Sequence, residues 1–339
     1  MRKIITCFRQ ILPGLCFIMG SFPLSAGSLY DLDSTLLSKS LFLDIDRAGD
    51  HFVAVGERGH IVVSADGVQW QKIDSGTEAT LTAVFFLDRD HGWAVGHDAI
   101  VLKTSNGGNS WQQVFAAPEK EAPLLDIWFR DAEYGIAVGA YGLYLTSQDG
   151  GNTWQQEELN VAPVQEEAGN DIEDDLTELY DLHLNAITAL DNGDLIIAAE
   201  AGRIYHSSNS GQLWHELPSP YNGSFFAVLP LAANTFVVFG LRGHCYLTSD
   251  SGKSWQRIET RTRELLNKGI HLDDGTDVIV GMGGTLLISH DNFATLEPVE
   301  VAGRNSFASV INSDNNQLIL AGDHGIQLLQ RDRFETAHE

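Results

Sequence analysis

The stretch Gly135-Ile-Ala-Val-Gly139-Ala-Tyr-Gly142-Leu-Tyr-Leu-Thr-Ser147-Gln-Asp149-Gly-Gly-Asn-Thr-Trp154 decides the fold. A short apolar run ends in glycine, and a second apolar segment follows two residues after a tyrosine. That segment then runs into a polar, glycine-rich turn closed by tryptophan. Short apolar runs separated by glycine turns read as strands and a hairpin. Gly142 supplies the positive φ that a tight hairpin needs.

The pattern recurs along the chain, and recurrence sets the architecture. Second strands of the same kind are Phe52–Gly56, Trp93–Gly96, Leu195–Ala199, Phe236–Gly240, Val278–Gly281 and Leu318–Gly322, which with Gly135–Gly139 makes seven. Third strands are expected from His60, Ile100, Leu143, Arg203, His244, Thr285 and Ile326. The polar turn pairs Asp66 with Trp70, Asn106 with Trp111, Asp149 with Trp154, Asn209 with Trp214 and Asp250 with Trp255. The first copy is one residue shorter, Asp291 to Leu296 is a worn sixth copy, and the seventh has lost the turn. The closing residues fall at 70, 111, 154, 214, 255 and 296, so most intervals match one four-stranded propeller blade. The expected fold is therefore all-β, a seven-bladed β-propeller of four-stranded antiparallel blades.

The long interval, 154 to 214, locates an insertion at 157–183 between blades three and four. It holds ten acids and no Lys or Arg. A solvated loop is the plain reading of such a charge run. A docking arm anchored by Leu176, Leu179, Tyr180 and Leu182 is the functional one. Asp171 to Asp175 lacks the spacing and glycine of a Ca²⁺ loop.

Residues 1–26 read as a cleaved secretory signal. Arg2, Lys3 and Arg9 precede a broken apolar run, and the stretch Ser21-Phe-Pro-Leu-Ser-Ala26, ending in small residues, precedes a cut before Gly27. Leu15 before Cys16 argues against lipidation. The domain then occupies 27–339, is expected in the periplasm or otherwise exported, and does not itself span a membrane. Cleavage would remove three basic residues and no acid, taking the formal charge from −25 to −28. A field of that sign repels nucleic acid and anionic lipid, so nucleic-acid binding is excluded. Cys245 would be the sole remaining cysteine, in an apolar strand, as an inert buried thiol. Ser28–Leu32 is expected to close the ring as the outer strand of the last blade, with Arg333–Thr336 as competitor.

The Asp and Asn of the polar turns have structural work, since their side-chain oxygens can bond the N–H groups of their own turn. The hairpins between second and third strands share a face with the loops between blades, around one channel mouth. That face should carry Glu57, Arg58, His60, His97, Asp98, Tyr141, Glu200, Arg203, Arg242, His244, Asp323 and His324, with Arg261, Arg263 and Arg304 from inter-blade loops. Arg is scarce in so acidic a chain, and Glu57–His60 nearly repeats as Leu241–His244. Arg58, His60, Arg203, Arg242, His244 and Arg304 are thus candidates for binding a carboxylate or other anion. The alternative is repeat drift, each Arg paired to a local acid. The histidines lack a close-spaced ligand pair, so neither a metal nor another cofactor is expected.

The repeat resembles the Asp-box (BNR-like) propellers. Within them, Ala-Val-Gly followed by Gly-x-Ile and Thr-Ser-x-Asp-Gly-Gly-x-x-Trp is similar to the photosystem II stability/assembly factor family. The resemblance covers nearly all of residues 40 to 330. It implies a non-catalytic scaffold or assembly factor for a membrane protein or membrane-associated complex, met from the extracytoplasmic side; nothing in the sequence indicates photosynthesis. Sialidase-like glycoside hydrolases also use Asp-box propellers and give the second hypothesis, with Arg58, Arg203 and Arg242 as a carboxylate-binding set and Tyr141 as nucleophile. Against it stand the missing Arg-Ile-Pro signature and seven blades rather than six.

Overall fold

A computed structural model of the chain describes residues 39–163, 182–313 and 315–332. These form seven antiparallel sheets, each a simple meander. Blade three shows the unit: inner strand Leu124–Phe129, then Gly135–Gly139, Tyr144–Ser147 and outer strand Gln155–Glu157. Six sheets have four strands. The seventh has three among the described residues, Phe307–Ser313, Gln317–Gly322 and Gly325–Gln330. The two segments expected to compete for its outer edge, Ser28–Leu32 and Arg333–Thr336, lie outside the described residues.

The second strands are continuous apolar runs because each is covered by a neighbouring blade on both faces. Gly135–Gly139 and Asp277–Gly281, for example, are buried at every position. The buried side chains sort into seven clusters, one for each pair of adjacent sheets. The ring therefore closes through its core as well: Phe42, Phe52 and Val62 of blade one pack on Ile319 and Ala321 of blade seven.

Every inner strand carries a β-bulge at its second residue, where the register with the second strand slips. The bulged residues are Leu43, Thr82, Leu125, Asn185, Phe226, Asn267 and Ala308. A bulge re-aims a side chain, and all seven line the mouth of the central channel. The bulge also explains the glycine ending most second strands. A Cβ on Gly56 would stand 2.1 Å from the Leu41 carbonyl oxygen, and one on Gly96 the same distance from that of Thr80.

Polar side chains on the inner strands bond most blades to the next. Asp44 accepts from the Val84 N–H, Asp46 from Phe86 and Asp126 from Ile187, at 3.1, 2.7 and 2.9 Å. Thr82, Asn185 and Asn267 donate to the carbonyls of Leu124, Phe225 and Phe307. Ser309 donates to Asp44 at 2.8 Å, and Arg47 donates to the Asn312 carbonyl, so blades seven and one are joined in the same manner.

The six polar turns share one geometry. The Ser or Thr hydroxyl donates to the Asp or Asn oxygen at 2.8–3.1 Å. That oxygen accepts an N–H later in the turn. The worn copy keeps the bonds although Phe293 occupies the left-handed position at φ 65, with its ring buried against blade five. Trp70, Trp111 and Trp154 donate to the carbonyl three residues back, whereas Trp255 reaches Pro218 in the preceding loop.

Candidate functional site

The hairpins between second and third strands are built on left-handed residues. Arg58, Asp98, Tyr141, Ala201 and Arg242 have φ of 53–60°, each followed by another residue of positive φ. Two successive left-handed residues make the type I′ turn that matches strand twist. The first of them stands at the tip of the hairpin, which puts Arg58, Tyr141 and Arg242 on the face around the channel mouth. Third strands begin one residue later than the sequence pattern suggests at His60, Arg203 and His244, which close their turns.

Several residues expected on this face have internal duties. Glu57 accepts from the Leu41 N–H, Glu200 from His183 and Asp323 from Ser306, each fixing the start of its own blade's inner strand. Arg203 is paired with Glu216 at 2.8 Å. Arg58 and Arg304 sit in left-handed turns away from the cavity described next.

That cavity, of about 600 Å³, lies in blade five and is lined by Arg242, His244, Arg257 and Arg263 with Glu259, Thr260 and Thr262. Glu259 accepts the Arg261 N–H. No ion pair joins Arg242, Arg257 or Arg263 to a carboxylate among the described residues. His244 stacks on Tyr221, ring centroids 3.8 Å apart, and its Nδ1 lies 2.9 Å from the Tyr246 hydroxyl. Burial, then the charges of Arg257 and Arg242, hold the imidazole below its usual pKa. The structure thus unites Arg242, His244 and Arg263, and adds Arg257, which the sequence reading missed. Its signal was available: Arg257 pairs across strands with Tyr246, at the position where blade four has Glu216 opposite Tyr205.

The channel mouth has a different character. A cavity of about 530 Å³ is walled by Leu41, Leu43, Leu125, Phe226, Met282 and Phe307 among others. It shares wall residues with a deeper cavity of about 250 Å³ that reaches Asp44, Asp126 and Lys268. Burial raises Asp126 to about 6 and Asp46 to about 7, each offset in part by backbone N–H donors. Burial pulls Lys268 down, but Asp44, Asp126 and Asp46 together hold it above its ordinary value. Tyr141, Met282 and Leu241, on the same face, are 59, 46 and 37% exposed.

Catalytic chemistry finds little support in this geometry. The Asp250 carboxyl is held at about 2 by the Ser254 hydroxyl and N–H, so it is an ionised turn acceptor rather than an acid catalyst. Arg58, Arg203 and Arg242 line no common cavity of those described here, and Tyr141 meets His183 edge-on at 5.0 Å. Cys245 is buried and its thiol pushed far up by burial. Among the described residues no three His, Cys, Asp or Glu side chains group as metal ligands, and no helix is long and apolar enough to cross a membrane.

The insertion begins differently from expectation. Val161 bridges Trp214 in parallel, and the Trp214 and Ala162 N–H groups bond the carbonyls of Asn160 and Trp214. Residues 160–162 therefore extend the edge of blade four, beside its polar turn, at the end opposite the mouth. The chain returns at the mouth, where the Leu182 carbonyl accepts from Gly142. Residues 164–181, with most of the acids and three of the four proposed anchors, lie outside the described residues.

Comparison with known proteins gives a consistent family signal. The family model described as Photosynthesis system II assembly factor YCF48 matches residues 62–160. The Photosystem II assembly protein Ycf48 of Thermosynechococcus vestitus is 42% identical over 43 residues, 13% of this chain and 12% of that protein's length. Among solved structures, YCF48 bound to D1 peptide superposes with a TM-score of 0.66 at 17% identity, over 86% of this chain and 93% of that one. YCF48 from Cyanidioschyzon merolae gives 0.66 at 16%, over 86% and 95%. The GH74 xyloglucanase from Xanthomonas campestris also gives 0.66, at 11% identity, over 86% and 52%, so structural likeness at this level reports the fold alone. The chain is thus a seven-bladed β-propeller that is similar, over residues 62–160, to the Ycf48 family.

Proposed function

We propose that this chain is an exported, non-catalytic scaffold of the Asp-box type, an assembly or stability factor that docks a membrane protein or complex from the extracytoplasmic, periplasmic side. The observation that carries this reading is the blade-five cavity, where three arginines and a histidine meet in a chain of net charge −25. Guanidinium groups in no ion pair among the described residues suit acidic side chains or a chain terminus of a partner. A YCF48 structure described as bound to a D1 peptide supports peptide recognition by this kind of propeller. For this chain the partner is a membrane protein of a bacterial, non-photosynthetic setting.

The test is recovery of a membrane partner by the protein expressed with residues 1–26 in place. Arg242→Ala with Arg257→Ala should keep the fold and lose the partner. Recovery at the wild-type level by both proteins would remove this cavity from the interface. Turnover of a sialoside or other glycoside, abolished by Arg242→Ala, would favour the hydrolase reading instead.

A further inference from the structure

From the channel mouth we infer a second binding site, separate from the arginine cavity and of opposite preference: it takes a cationic group on an apolar stem, such as a lysine or arginine side chain of a partner, with the stem in the vestibule and the charge at Asp126.

The vestibule wall is apolar for a definite reason. Of the seven bulged residues, Thr82, Asn185 and Asn267 donate their side-chain hydrogens to the next blade's backbone. Leu43, Leu125, Phe226 and Ala308 are left to line the opening. An alkyl stem entering there removes apolar surface from water on both sides. Below it the cavity narrows from about 530 to about 250 Å³ and its wall becomes ionic.

The charges on that floor are unequal. Asp44 comes from the inner strand of blade one, Asp126 from blade three and Lys268 from blade six. Lys268 is already committed, its Nζ 3.3 Å from Asp44. Asp126 accepts N–H groups of Ile127 and Ile187 and feels the charge of Lys268, whose hydrogen bond goes to Asp44 instead. Two carboxylates against one ammonium leave a net negative charge on the cavity floor, and a buried charge without a full counter-charge is costly until one arrives. A guest ammonium or guanidinium supplies it; a guest carboxylate would add to the excess. Burial that raises Asp126 to about 6 gives the site a pH signature. Binding of a cation needs the ionised carboxylate and so strengthens from pH 5 to pH 8.

Isothermal titration of the purified protein with n-hexylammonium, n-hexanol and hexanoate separates stem from charge, and needs no knowledge of the partner or of the arginine cavity. At pH 8 hexylammonium should bind at least ten-fold tighter than hexanol, and hexanoate weakest. The advantage should shrink several-fold at pH 5. Asp126→Asn should abolish it while leaving hexanol binding as it was. Should that variant fail to fold, the wild-type pH dependence still decides. Equal binding of hexylammonium and hexanol, tighter binding of hexanoate, or no binding of any of the three would each overturn the inference.

Discussion

Blades four and five place the same two positions side by side and resolve them oppositely. In blade four, Arg203 before the third strand meets Glu216 on the outer strand, and the charges cancel at 2.8 Å. In blade five the equivalents are His244 and Arg257, joined by Arg242 and Arg263, and the His244 pKa is lowered by burial and by the charges of Arg257 and Arg242. Blade one resembles blade five in part: His60 stands near Lys72, and burial with that lysine's charge lowers its pKa. A repeat thus distributes one scaffold seven times and lets single substitutions decide which blade is finished internally and which is left for a partner. A pair satisfied within a blade contributes to stability, whereas an unsatisfied cluster lowers stability slightly and gains on binding.

The largest effect should come from making blade five copy blade four. Arg257→Glu places a carboxylate among Arg242 and Arg263 and should weaken partner binding roughly 30-fold, about 2 kcal/mol. Quantitative recovery from solubilised membranes measures it. A binding level within two-fold of wild type would break the comparison.

Neutral removal should cost less. Arg242→Ala with Arg263→Ala is expected to reduce affinity about ten-fold, the loss shrinking as salt is raised because the contacts are partly exposed. Titration at two ionic strengths would show whether the loss is electrostatic. A loss independent of salt would point to packing instead.

Blade four should answer in the other register. Arg203→Ala should leave partner binding unchanged and cost about 1 kcal/mol of stability, in keeping with a partly buried ion pair. Denaturant unfolding and the same recovery assay give both readings. Lost binding there would mean the pair is part of the interface.

A separate effect concerns pH. Asp46 and Asp126 keep their protons to about 7 and 6 in the folded chain, against ordinary values near 4. The folded state therefore binds more protons than the unfolded state between those limits, and this contribution to stability is lost as pH rises from about 4 to 7. The thermal midpoint should be higher at pH 5.5 than at pH 8, and Asp126→Asn should narrow the gap. A midpoint that rises with pH would show other groups in control.

Much of this fold was legible because each blade repeats the same instructions. Continuous apolar runs such as Phe236–Gly240 mark strands covered on both faces, and the polar turns time the blades. The turn at Asp291 was readable despite lacking glycine and tryptophan, because Ser289 and Thr295 preserve its bonds. What stayed hidden depends on neighbours distant in sequence. Nothing local says that Arg203 meets Glu216 while Arg257 meets no acid. The bulges that aim Leu43, Leu125 and Phe226 into the mouth carry no residue signature, since the bulged position holds Leu, Thr, Asn, Phe or Ala. Residues 160–162 looked like part of the acidic loop, yet they pair with blade four at Trp214. An excision of that loop should accordingly begin at 164.

The most direct test of the account is site-specific photo-crosslinking in membranes of cells expressing the protein. A photoreactive residue at Thr262, in the wall of the arginine cavity, is compared with one at Gln69, on the turn at the opposite end of blade one. The account predicts a membrane-protein adduct from position 262, absent from position 69 and lost when Arg257→Glu is added. An adduct from position 69 alone, or one from position 262 that survives Arg257→Glu, would contradict it.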